Sequence, residues 1–277
     1  MKNIIELETG TRQLLAHIHG DVGILTLNRP ESKNALSDEL TPALRKQISE
    51  LNEDSRIKIL IITGAGDAFC AGGDVKSMNS DKDKGWTEKK PEEETINELQ
   101  EKQITLTSAL YNFSKPTIAV LPGAAAGAGL SIALSCDFRF ASKSAFAIGG
   151  YGKIALTGDY GITWLLTKLV GPAKSKDILF SNRKIYTDEG LKFGIFDKIF
   201  DNEILLKESI EYAKHIGTFS PLALKVMKKN INNSSEINLI QALDQEAIDL
   251  IKVSKSKDHK EGIKAFVEKR KPSFTGN

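Results

Sequence analysis

Two cysteines, Cys70 and Cys136, are the only thiols in 277 residues. So few cannot staple a chain of this size, which excludes a disulfide scaffold and points to a reducing compartment. Histidine is nearly as sparse: His17, His19, His215 and His259, with none between positions 19 and 215. A Ser–His or Cys–His nucleophile would have to draw on a histidine near one end of the chain. Excess charge is missing as well, because 38 Lys+Arg face 36 Asp+Glu for a net +2. Nucleic acids and membrane surfaces both need a concentrated basic field, so neither is an expected partner. The opening MKNIIELETGTR has no long apolar core and no small-residue cleavage site, which leads to the expectation of a soluble cytoplasmic protein. No glycine cluster is followed by Gly-Lys-Ser/Thr, and neither Gly64-Ala65-Gly66 nor Gly127-Ala128-Gly129 has the third glycine of a dinucleotide fingerprint. Nothing here calls for a cofactor. A metal is not expected either: His17 and His19 share a strand face but have no third ligand nearby.

What remains is an ordinary globular composition, 40% apolar and 27% charged, in a chain long enough for one large domain or a domain with an extension. Ala16-His17-Ile18-His19 and Val22 to Leu27 flank Gly20-Asp21 and read as a hairpin. Ser37-Asp38 offers the N-terminus of a helix through about Leu51. Ile57 to Thr63 is a β-branched run suited to a strand buried on both faces. Ser80 to Glu94 is the most polar part of the chain, with Trp86 as its lone aromatic, and reads as a solvated loop. Ile96, Leu99, Leu106 and Leu110 keep helical spacing over Thr95 to Tyr111. Pro116 to Cys136 contains no charged residue, a length that could cross a bilayer. Pro122-Gly123 interrupts it, however, so Thr117 to Leu121 reads as a buried strand and the rest as a small-residue turn entering a packed helix. Phe138 to Ala147 reads as strand and Trp164 to Leu169 as helix. From about residue 201 the pattern is helical, with Pro221 at a first helical position. The expected organisation is an α/β body over residues 1–200 and a helical region over 201–277.

Two loops carry the chemical signal: AFCAGGDVKSM at 68–78 and GAAAGAGL at 123–130. Each follows a buried strand and precedes a segment that can turn helical. Loops of this kind can aim free backbone N–H groups at one point and form an oxyanion hole; on glycine content alone, two tight turns between close-packed helices explain them equally well. Cys70 lies in the first loop, and both it and Cys136 read as small buried thiols.

Taken in order, these residues resemble the crotonase (enoyl-CoA hydratase/isomerase) superfamily over essentially the whole chain. The resemblance is carried by Leu27-Asn28-Arg29-Pro30 with Asn34-Ala35-Leu36, by Ile61-Ile62-Thr63-Gly64, by Ala68 to Asp74 and by Pro116 to Asp137. It continues through Leu169-Val170-Gly171 and closes on Glu261-Gly262 and Ala265 to Arg270. It implies a spiral of ββα units with two near-perpendicular sheets, and C-terminal helices that build a homo-oligomer, a trimer or hexamer. It also implies an acyl-CoA substrate, with the thioester oxygen held by the N–H groups of Gly73 and Ala128. CoA contacts then map onto Arg29, Lys33, Ala35, Ala71, Asp74 and Val75, while Phe266 and Lys269 reach a neighbouring subunit's CoA. Tyr151 and Trp86 are candidates to line the acyl pocket.

The hydratases of that superfamily use two glutamates. The first position is Ser131 here, and the second falls in Ala147 to Gly152, which holds no carboxylate. One carboxylate remains in the region, Asp159 in Gly158-Asp159-Tyr160-Gly161, similar to the Asp of the Pro-Asp-x-Gly pattern of enoyl-CoA and ring isomerases. A single carboxylate suits an isomerase, since one group can take a proton and return it two carbons away. The alternatives are an Asp that merely caps the helix near Ile162, a hydratase with an unusual water site, and a CoA-binding module without catalysis.

Overall fold

The computed structural model describes residues 4–74 and 90–277. The expected hairpin forms: β2 (Leu14–His19) pairs antiparallel with β3 (Val22–Leu27), and β1 (Ile4–Leu7) adds to its outer edge. From there the chain repeats one move. It lays a strand in a large sheet, then a short strand in a small sheet, then turns through helix. The large-sheet strands are β4 (Ile59–Gly64), β6 (Thr117–Leu121), β8 (Phe138–Ser142) and β11 (Lys198–Phe200), in the order β1-β2-β3-β4-β6-β8-β11. The small sheet runs β10-β9-β7-β5, from Ile185–Tyr186, Phe146–Ile148, Ala124–Ala126 and Ala68–Cys70. The pairings β3-β4-β6-β8-β11 and β5-β7-β9 are all parallel. This is the expected ββα spiral.

The β-branched run at β4 is buried at every position because both faces of the large sheet are covered. Leu60 and Ile62 face the main core with Leu25, Leu44 and Phe69. Ile59 and Ile61 face a second cluster with Val22, Ile118 and Phe140. Helix Asn202–Ile216 closes that second cluster with Leu205 and Ala213, and its Tyr212 stands edge-on to Phe140 at 5.0 Å between ring centres. The helices are α1 (Leu40–Glu53), α2 (Glu92–Gln103), α3 (Ala128–Ser135), α4 (Ile162–Val170), α5 (Pro172–Ser181), α6 (Thr187–Phe193), α7 (Asn202–Ile216), α8 (Pro221–Asn233), α9 (Leu239–Val253) and α10 (Lys257–Val267). Helix α1 begins at Leu40, with Glu39 at its N-cap, and Leu40 N donates to Ser37 Oγ at 3.0 Å in the turn that leads into it.

Three expectations are corrected. Phe138 to Ala147 is two strands, one in each sheet. Ser142 Oγ donates to the Pro122 carbonyl at 2.8 Å and Ala145 N to the Ser142 carbonyl at 3.0 Å, which turns the chain between them. The helix expected from Thr95 begins at Glu92, where three glutamates suit the positive end of its dipole. It does not run uniformly, because Ile104–Ser108 is a π-helical turn before a last α-turn at Ala109–Tyr111. Of the stretch expected as a loop, Glu92 to Glu94 are helical, and residues 80–89, including Trp86, lie outside the described residues.

From Asn202 to Val267 the chain forms helices α7 to α10, the first of which packs on the large sheet. Helices α8 to α10 bury few side chains, and Met227, Ile231, Leu243, Leu250, Ile251 and Phe266 are exposed. Lys228 fastens α8 to the body through Asp137 at 2.8 Å and the Lys115 carbonyl at 3.1 Å. Among the described residues, no helix is long and apolar enough to cross a membrane.

Candidate active site

The site is built where the small sheet meets the first turn of α3. Gly72 has φ +89°, and a Cβ there would lie 2.8 Å from the Ala126 carbonyl oxygen and 3.4 Å from Ala128 N. Gly129 is as tightly placed, its missing Cβ lying 2.3 Å from the Cys70 carbonyl oxygen. The two glycine loops are therefore in contact, and their small residues are what permit the approach. Leu36 N donates to the Gly72 carbonyl at 2.8 Å in a parallel bridge between Leu36 and Gly73, which makes no use of the Gly73 N–H. Ala128 is the first residue of α3, and an N–H in that position has no partner within its helix and sits at the positive end of the dipole.

The proposed CoA-contacting segment lies against the first loop. Asn34 is fully buried with φ +57°, and its side chain ties three strands of chain together. Its Oδ1 accepts from Arg29 N at 2.9 Å, and its Nδ2 donates to the carbonyls of Ala65 and Ala68 at 2.9 and 2.8 Å. Arg29 donates to the Ala35 carbonyl at 2.6 Å and pairs with Asp74 at 3.1 Å. Lys33 reaches Asp67 at 2.6 Å on the surface, and Ala71 N donates to the Lys33 carbonyl at 2.9 Å. Arg29, Lys33, Ala35, Ala71 and Asp74 are thus gathered around one bend, whereas Val75 lies outside the described residues. Asn34→Ala would leave buried donors and acceptors unpaired at a left-handed position. It is expected to lower unfolding stability by about 3 kcal/mol, measured by chemical denaturation.

Asp159 sits in a loop of unusual backbone. Gly158 has φ +143°, Tyr160 +51° and Gly161 +77°. Proline cannot adopt the Gly158 conformation, so the Gly in place of the family's Pro is matched to this loop. The carboxylate Oδ1 accepts from Gln103 Nε2 and from Tyr160 N, both at 2.6 Å. Oδ2 has no hydrogen bond among the described residues. Burial pushes the Asp159 pKa above the ordinary carboxylate value, while the bonds from Tyr160 N and Gln103 pull it back. The capping alternative is not what the structure shows. Helix α4 has no side-chain cap, and it is the Asp159 carbonyl, not its carboxylate, that accepts from Ile162 N at 3.2 Å.

The same carbonyl accepts from Ser131 Oγ at 3.2 Å and Tyr151 Oη at 3.4 Å. Tyr151 packs its ring over Gly127 in the second glycine loop. Burial, reinforced by Asp159, raises its pKa, so the hydroxyl stays neutral and can donate. Asp159, Tyr151, Ser131 and the start of α3 therefore form one cluster. Gln103 was not foreseen: it sits in a segment whose only sequence signal was apolar spacing. Cys70 and Cys136 are fully buried, their thiols pushed up to about 12 by desolvation, and so are not nucleophiles at neutral pH. Among the described residues there is no cluster of potential metal ligands. Phe266 and Lys269 stand exposed at the end of α10.

The two-sheet spiral is that of solved crotonase-type α/β structures. An enoyl-CoA hydratase from Bacillus anthracis superposes with a TM-score of 0.87 at 28% identity, covering 96% of this chain and 100% of that one. The sequence model of the enoyl-CoA hydratase/isomerase family matches residues 17–277, and the chain belongs to that family. Its relatives differ in activity. The 1,2-epoxyphenylacetyl-CoA isomerase of Escherichia coli K12 is 32% identical over 263 residues, 95% of this chain and 98% of that protein. The short-chain-enoyl-CoA hydratase of Clostridium acetobutylicum is 32% identical over 259 residues, 91% and 93% of the two chains.

Proposed function

We propose that the protein is an acyl-CoA isomerase that shifts a double bond, or rearranges a ring, through a thioester enolate. The thioester oxygen sits between the N–H groups of Gly73 and Ala128, where negative charge builds as a proton leaves the α-carbon. Asp159 takes that proton on Oδ2 and returns it two carbons along the conjugated enolate. The carboxylate that takes the proton becomes the acid that gives it back, so no second base is needed. Arg29, Lys33, Ala35, Ala71, Asp74 and Val75 hold the CoA moiety, and Tyr151 borders the acyl group. No bound cofactor enters the cycle.

The observation that carries this reading is the lone carboxylate. Among the described residues, Asp159 has one oxygen tied and no hydrogen bond on the other, and Ser131, at the place of a hydratase glutamate, spends its hydroxyl on a backbone carbonyl. Hydration is the second reading, favoured by the relatives named as hydratases. A paired assay on one acyl chain separates the two. A 3-enoyl-CoA is expected to give the conjugated 2-enoyl product rapidly, with negligible loss of 2-enoyl-CoA to water; fast hydration would overturn the isomerase assignment, and binding without either reaction would favour a non-catalytic module.

The apolar residues left exposed on α8 to α10 also support self-association, as a trimer or a pair of trimers, which would bring Phe266 and Lys269 to a neighbour's CoA. Light scattering on the purified protein is expected to show a mass three or six times that of the chain; a monomer would refute this.

A further inference from the structure

Given that Asp159 is the base, we propose that Gln103 is a positioning residue, presented by the π-helical turn that follows it, which pins one oxygen of the Asp159 carboxylate and aims the other at the reacting carbon.

Gln103 and Asp159 are 56 residues apart in sequence, yet Nε2 lies 2.6 Å from Oδ1. An ionised carboxylate only accepts, so the amide nitrogen is the atom that faces it. Tyr160 N reaches the same oxygen at 2.6 Å. Two donors on Oδ1 fix the rotation of the carboxylate plane and leave Oδ2 as the proton-accepting atom. The backbone behind it is held from the other side, where Ser131, Tyr151 and Ile162 all donate to the Asp159 carbonyl. Gln103 is the one side-chain hydrogen-bond donor to the carboxylate among the described residues.

The helix is built to deliver it. Gln103 is the last residue of α2, and the π-helical turn Ile104–Ser108 begins immediately after. A π-turn shifts the helical hydrogen-bond pattern, and such turns recur at functional sites. Here Thr107 Oγ1 donates to the Gln103 carbonyl at 3.2 Å. Leu106 within the turn and Leu110 beyond it are fully buried in the core, whereas Ile96 before it is exposed. The irregularity thus lets one helix serve the core with its second half and the carboxylate with the residue at the junction.

A neutral amide suits the task. It favours the ionised carboxylate by hydrogen bonding without the strong depression that a cation would cause. Among the described residues, the groups facing Asp159 are Tyr160 from its own loop, Tyr151 from the turn Tyr151–Ile154, Ser131 from α3 and Gln103 from α2, with Arg45 of α1 acting on Tyr160. None of those in contact is charged. Removing the amide therefore removes one of the two bonds opposing desolvation, and the Asp159 pKa rises further. A base must be ionised to work, so activity is lost as pH falls through that pKa, and a higher pKa moves the acid limb of the rate profile upwards.

The test uses Gln103→Leu and Gln103→Glu in the full-length enzyme, with Asp159→Asn alongside. In Gln103→Leu the acid limb of kcat/KM is expected to move up by about one pH unit, the size of one charge-assisted hydrogen bond, with KM within twofold. Gln103→Glu sets a second carboxylate beside the first and is expected to move it further. A 13C-NMR titration of the aspartate carboxyls, with Asp159 assigned by its loss in Asp159→Asn, reads the same shift without turnover. If both variants keep the parent's acid limb and carboxyl titration, Gln103 is only a structural tie and the proposal fails. If Asp159→Asn retains full activity, it is the assignment of the base that fails instead.

Discussion

Asp159→Asn is expected to reduce the double-bond shift by about 10²–10⁴-fold in kcat, the range carried by a positioned general base. The substitution leaves the shape of the side chain and the acceptor for Tyr160 N in place, so the loss is chemical. Stability should move the other way. Burial raises the Asp159 pKa in the folded protein, so folding favours the protonated acid, and its contribution to stability is lost as pH rises from the unfolded value through the folded one. At neutral pH the ionised group is a net cost that asparagine does not carry. Calorimetry at pH 7 is therefore expected to give a midpoint at or above the parent's. A variant both inactive and destabilised would show that Asp159 holds the loop together instead. Exchange of deuterium into the α-position of a bound acyl-CoA should fall with kcat; exchange that persists undiminished would place the base elsewhere.

Gly72→Ala is expected to cost about 10²–10³-fold in kcat, the effect of losing one oxyanion donor. The added methyl would lie 2.8 Å from the Ala126 carbonyl oxygen at a φ of +89°, which L-residues rarely adopt. Both effects drive the first glycine loop off the second, which would separate the two N–H groups proposed for the oxyanion hole. KM should change much less than kcat, because the thioester oxygen gains most of its charge only in the transition state. Gly10→Ala separates the causes. Gly10 has φ +79° with nothing within 4 Å of a Cβ, so it carries a similar backbone penalty, about 1–2 kcal/mol, far from the glycine loops in sequence and with kcat expected unchanged. Equal losses of activity in the two variants would assign the effect to global stability.

Much of this arrangement is legible in the sequence because it rests on burial. The run at β4 reads as a strand covered on both sides, and the charge-free stretch from Pro116 yields its buried strand and packed helix, because apolar pattern and Pro-Gly punctuation are local signals; what read as a turn after Gly123 is the strand Ala124–Ala126. The small sheet is much less visible. The strand Ala124–Ala126 is three alanines, too short and too uniform for any alternation to show. The π-turn leaves no compositional mark, and so Gln103 was hidden in what looked like an amphipathic helix. Asp159 could be singled out only by resemblance, since its loop is defined by positive φ at Gly158, Tyr160 and Gly161, and two glycines beside a tyrosine do not announce that geometry. The tie from Ser131 to the carbonyl of Asp159 joins residues 28 positions apart. No pairwise spacing rule would suggest it.

That tie constrains how such an enzyme could change its chemistry. Ser131 is wholly enclosed, with no accessible surface, and its hydroxyl anchors the very loop that presents Asp159. Writing a glutamate at 131 to install a water-activating group would insert a larger, ionisable side chain into a filled space and release the loop in the same step. The variant would lose its present activity before acquiring a new one. On the proposed isomerase reading, installing the hydratase glutamate is therefore an epistatic problem: room around Ser131 and a new anchor for the 158–161 loop must come first, and the second carboxylate last.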